Sequence, residues 1–161
     1  MNQAIEIVTQ SAAWENLAGA EALARRAVEA ALREEGVEAG EIAVMLGDDG
    51  GIRALNRKFR ANDKPTNVLA FPASKPLGKE EARLGDIVLA YETLAREAES
   101  DGKSAGDHLM HLVVHGTLHL LGYDHQNEAD AEKMEARERE ILTSLGIADP
   151  YLHREGAGAA A

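Results

Sequence analysis

The chain has 161 residues, 45% of them apolar, and a formal net charge of −11 from 28 acidic and 17 basic side chains. It has no cysteine, which excludes disulfides, thiol nucleophiles and cysteine-ligated zinc or iron–sulfur sites, so any metal must be held by His, Asp or Glu. The acidic total argues against a protein coated by nucleic acid, yet Arg53, Arg57, Lys58, Arg60 and Lys64 stand together against the single acid Asp63, so one local anion site survives that objection.

The segment AIEIVTQ, around Ile5 and Val8, predicts a short first strand. From Ala20 to Glu35 an apolar stripe of Leu23, Ala24, Ala27, Val28, Ala31 and Leu32 predicts a helix, with Gly36 to end it. Glu41 to Leu46 predicts a second strand. Asp48 or Asp49 then caps a helix through Ile52, Leu55, Asn56 and Phe59, which carries most of the cationic strip. Pro65 and Pro72 bracket TNVLAF, a third strand with proline at its ends. Ala73 to Leu84 reads as a loop and Gly85 to Ala90 as a fourth strand.

A short helix is predicted over Tyr91 to Glu99, closed by Gly102. Asp107 to Leu121 is a long apolar helix with four histidines, and Glu128 to Leu145 a charged one that buries Met134, Ile141, Leu142 and Leu145. The size and the absence of a linker predict one α+β domain over residues 1–153, with a disordered tail over 154–161. The start lacks a basic stretch followed by an apolar run, and no segment reaches the roughly 18 apolar residues of a membrane span, so a soluble, cytoplasmic protein without a membrane partner is expected.

Two motifs are decoys. Gly102-Lys103-Ser104 resembles the end of a phosphate-binding loop, but the glycine such a loop needs five positions earlier is Glu97. The acidic run from Glu128 to Glu140 alternates with Lys and Arg at helical spacing and reads as a solvated face.

Chemistry concentrates in HGTLHLLGYDH, from His115 to His125. His115 and His119, four apart on a helix, lie about 40° apart on one face. Gly122 can adopt the left-handed conformation that turns the chain back and brings His125 to them. Three neutral imidazoles fit Zn²⁺ with a fourth position left for water, although nickel tolerates such a set too. The flanks are rich in leucine, where unpaired imidazoles would be costly to bury without a common partner. His108 and His111 fall on the same side of the helix and read equally as lining groups or structural histidines. Asp124 either orients a ligand or caps the turn.

The spacing H-x-x-x-H-x-x-G-x-x-H is that of metzincin proteases, but Gly116 stands where those enzymes carry the glutamate base. HGTLHLLGYDH, with LNRKFRANDKPTNVLAFP and GDIVLA upstream and ADPY near the end, resembles the YbeY family of endoribonucleases, bacterial ribosomal-RNA maturation factors, from about residue 5 to Tyr151. The resemblance implies a small mixed four-stranded sheet packed against about five helices, with a metzincin-like metal helix at the centre. It implies one zinc on His115, His119 and His125, and a functional arginine at Arg60. The implied activity is cleavage of single-stranded RNA in maturation of the small-subunit rRNA 3′ end and in ribosome quality control, with the small ribosomal subunit and its assembly factors as partners.

Arg60 with the three histidines would then form the catalytic set, and Arg57 and Lys64 would join Arg60 in holding phosphates. Asn67 and Ala70 stand where the family often has aspartate and serine, removing a carboxylate and a hydroxyl. Two other functions compete: a metal-dependent peptidase or amidase, against which Gly116 counts, and a non-catalytic ribosome-assembly factor whose zinc is closed by a fourth protein ligand.

Overall fold

A computed structural model describes residues 2–73 and 83–151; the expected tail at 154–161 lies outside them, as does most of the expected loop after Ala73. The elements run β1 (Asn2–Thr9), a 3-10 turn (Ala12–Asn16), α1 (Ala20–Glu34), β2 (Ala39–Gly47), α2 (Asp49–Arg60), β3 (Val68–Pro72), β4 (Arg83–Ala90), α3 (Tyr91–Asp101), α4 (Ala105–Leu120) and α5 (Glu128–Ser144). One mixed sheet has the order β1-β2-β4-β3, with β1, β2 and β4 parallel and β3 antiparallel at the edge. Among the described residues the fold is therefore α+β, a four-stranded mixed sheet with five helices, as the sequence predicts.

Alternation along the strands divides the core. Ile42, Val44, Leu46, Ile87 and Leu89 turn to the face covered by α1 and α4, whereas Leu69, Val88 and Ala90 turn to the face covered by α2 through Ile52. Helix α4 packs against α1, α3, α5 and the sheet, which explains its apolar composition. Its buried Leu109, Leu112, Val113, Val114 and Leu118 are each worth about 1.5–3 kcal/mol of burial, against about 1 kcal/mol for its Ser104 cap, so packing fixes its position.

Differences from the sequence reading are local. The 3-10 turn was not expected; its Trp14 is buried and donates its indole N–H to the Gly47 carbonyl at 2.8 Å. Asp48 rather than Asp49 caps α2, accepting from the Gly51 amide at 2.8 Å. The decoy at Gly102–Ser104 is a joint between helices. Gly102, at φ +68°, ends α3, and Ser104 caps α4.

Candidate metal centre

His115 and His119 lie on the last turns of α4 with ring centroids 4.7 Å apart. Beyond the helix, Gly122 takes φ +106°, and the amides of Gly122 and Tyr123 bond back to the carbonyls of His119 and Leu118, both at 3.0 Å. The reversal brings His125 to 5.0 Å from His119 and 5.6 Å from His115. One ligand atom from each of the three lies within 4.8 Å of the others, and no fourth His, Asp or Glu among the described residues joins them. Asp124 caps the turn: its Oδ1 accepts the His125 amide at 2.7 Å.

The returning loop is held from outside the site. Tyr123 donates its hydroxyl to Glu35 at 2.8 Å, and Arg137 donates to the same carboxylate at 2.6 Å, joining the loop to α1 and α5. The donors are also prepared chemically. Burial, then repulsion from His115 and His125, pushes His119 down to about 4, so it is a neutral imidazole at neutral pH. Neutral nitrogen donors with an open fourth direction suit zinc or a similar divalent ion, so the residues fit a resident metal.

The reading of the acidic run as solvated is wrong at Glu138, which is 0% exposed. The Nδ1–H of His115 donates to its Oε2 at 2.5 Å, the Nε2–H of His111 to its Oε1 at 3.0 Å, and the Tyr151 hydroxyl to the same Oε1. Burial opposes its ionisation, but the bonds from His111 and His115 outweigh that and hold the carboxyl down to about 2. Because His115 gives Nδ1–H to Glu138, its Nε2 is left free to ligate a metal. The sequence carried a signal for this residue. Glu138 falls on the stripe of Met134, Ile141, Leu142 and Leu145, where an acid needs a buried partner.

A cleft of about 680 Å³ contains the three histidines, with His111 and Tyr151 on one wall and Asn67, Ala70 and Arg60 on the other. Arg60 leaves the end of α2, passes the Phe71 ring at 5.6 Å and donates Nη2–H to the Ala70 carbonyl at 3.0 Å, which fixes its guanidinium at the cleft rim. Arg57 and Lys64 are exposed but do not line the cleft. Asn67 donates to Glu97 at 3.0 Å, and Glu97 also bonds the buried His108 at 2.8 Å, so His108 belongs to the joint between α3 and α4 while His111 lines the cleft.

The fold and this site define a class: an α+β protein whose central helix and glycine turn present three imidazoles able to hold one metal ion in an open cleft. The family model described as endoribonuclease YbeY matches residues 6–146, and the chain belongs to that family. Curated relatives bearing that name include one from Rhodopseudomonas palustris, 51% identical over 94% of this chain and 83% of its own length. Another, from Bradyrhizobium diazoefficiens, is 51% identical over 94% of this chain and 86% of its own. The solution structure of a Thermotoga maritima protein is similar at a TM-score of 0.54 and 25% identity, over 91% of this chain and 97% of that one.

Proposed function

We propose that the chain is a zinc-dependent endoribonuclease that cuts single-stranded RNA, acts in maturation of the small-subunit rRNA 3′ end and in ribosome quality control, and works in the cytoplasm with the small ribosomal subunit and its assembly factors. The observation that carries this reading is the open group of three imidazoles in the same cleft as the anchored guanidinium of Arg60. Membership of a family named for endoribonuclease activity supports it. When bound to His115, His119 and His125, zinc supplies a Lewis acid for a phosphoryl oxygen and acidifies water.

The chain's own groups do the rest. Arg60 has one Nη2–H on Ala70 and directs its remaining donors to a non-bridging phosphate oxygen, where negative charge grows during cleavage. Glu138 holds His115 in one tautomer, and the loop carrying His125 is tied down through Tyr123. The peptidase alternative lacks its base: a Cβ on Gly116 would lie 3.0 Å from Cγ2 of the fully buried Ile87, so this position packs against the sheet. A closed structural site lacks its fourth ligand: among the described residues no other His, Asp or Glu groups with the three imidazoles, and Asp124 caps the turn.

His115→Ala and His119→Ala are each expected to lower zinc content and to abolish cleavage of a single-stranded RNA, measured by metal analysis and gel assay on the same preparations. Casein and a peptide library run in parallel test the competitor. A metal-free preparation that cuts RNA as fast as the zinc-loaded one would overturn the proposal.

A further inference from the structure

Among the described residues, Phe59 is the one large hydrophobic side chain that is exposed, at 58% of its surface. Its position explains why. Ile52, Leu55, Asn56 and Phe59 form the inward stripe of α2, in which Ile52 and Asn56 are buried and Leu55 is half-buried. The sheet ends at β3, so the last member of the stripe overhangs its edge and meets the Phe71 ring edge-on at 5.5 Å.

The surroundings of the ring are cationic. Lys58 Nζ lies 5.2 Å from the Phe59 centroid, and Arg57 and Lys64 are exposed nearby in sequence. Phe71 also carries the Arg60 guanidinium, so a single ring connects Phe59 to the rim of the cleft. Arg53, by contrast, is held by Asp63 at 2.8 Å. A protein partner covering Phe59 would have to desolvate the neighbouring cations, whereas a polyanion with flat apolar rings uses both features.

We propose that Phe59 is a stacking platform for an unpaired base of single-stranded RNA, with a neighbouring phosphate at Arg60 and another beside Lys58. This rests on the RNA-cleaving reading above and deepens it. A base inside a duplex has both faces covered by its neighbours, so only an unpaired base can lie on the ring, and every base offers such a face. The platform therefore selects single strands without reading sequence.

The test measures KM and kcat of the zinc-loaded protein on a single-stranded oligoribonucleotide, and Ki for an abasic strand with the same number of phosphates. Phe59→Ala is expected to raise KM roughly 5- to 150-fold while Ki for the abasic strand stays unchanged. Phe59→Trp is expected to keep KM. It also provides a reporter, because Trp14, the only native tryptophan, is buried; the new indole should be quenched by RNA and not by the abasic strand.

An unchanged KM in Phe59→Ala would overturn the proposal and leave the ring to a protein contact. KM and Ki rising together would also overturn it, since the ring would then only shape the cationic surface. If wild-type protein cuts no RNA but Phe59→Trp is quenched by it, the catalytic reading falls and the platform stands. If neither occurs, both fall.

Discussion

A carboxylate withdrawn from water is costly by several kcal/mol unless it is paired, and Glu138 is paired by three donors from α4 and the segment after α5. Glu138→Gln keeps the shape and removes the charge. It is expected to weaken zinc binding 10- to 100-fold in a chelator competition at unchanged helical content; unaltered affinity would reduce Glu138 to a packing residue. Arg60→Lys is expected to leave zinc content untouched and to lower kcat/KM on RNA at least about tenfold, because a point charge cannot hold Ala70 and present a planar fork as well. At this scale, the histidine triad was legible because a helical spacing and a glycine turn fix it over eleven consecutive positions. The partner of His115 was only half legible: the apolar stripe marks Glu138 as an acid that needs a buried partner, but it lies 23 positions from His115, and periodicity does not say which group it meets.

The elements were largely legible from periodicity, and what the sequence hid was how closely they approach. Gly85, at φ +144°, lets α4 and the edge strand close on β4: a Cβ there would lie 2.3 Å from the Phe71 carbonyl and 2.8 Å from Leu120 Cδ2. Gly85→Ala is expected to destabilise the protein by about 3 kcal/mol or more in urea unfolding, through strain in the β3–β4 pair. The joint between α3 and α4 is expected to be sensitive to acid. Burial pushes His108 below its ordinary 6.5, opposed by Glu97 and assisted by Lys103 and His111. The unfolded chain therefore takes up this proton first, so the contribution to stability is whole above pH 6.5 and is lost as pH falls below it. His108→Gln is expected to flatten the decline of Tm between pH 7 and 5; an identical decline would assign it to other groups.

Across the whole molecule, charge is separated: the cations of α2 and its following turn stand on a chain of net charge −11. If the exposed Arg57, Lys58, Arg60 and Lys64 of this strip are the groups that meet phosphates, log K for single-stranded RNA is expected to fall against log salt with a slope no steeper than about −3. A much steeper slope would mean that the strand follows a longer track. The arginine anchored on Ala70 has one more effect. Strand β3 is one of the sheet's two edges, where an extended polypeptide could add itself as a fifth strand, and Arg60 already occupies one of the acceptors it would need. The same side chain thus leaves one fewer free acceptor along that edge for an added strand.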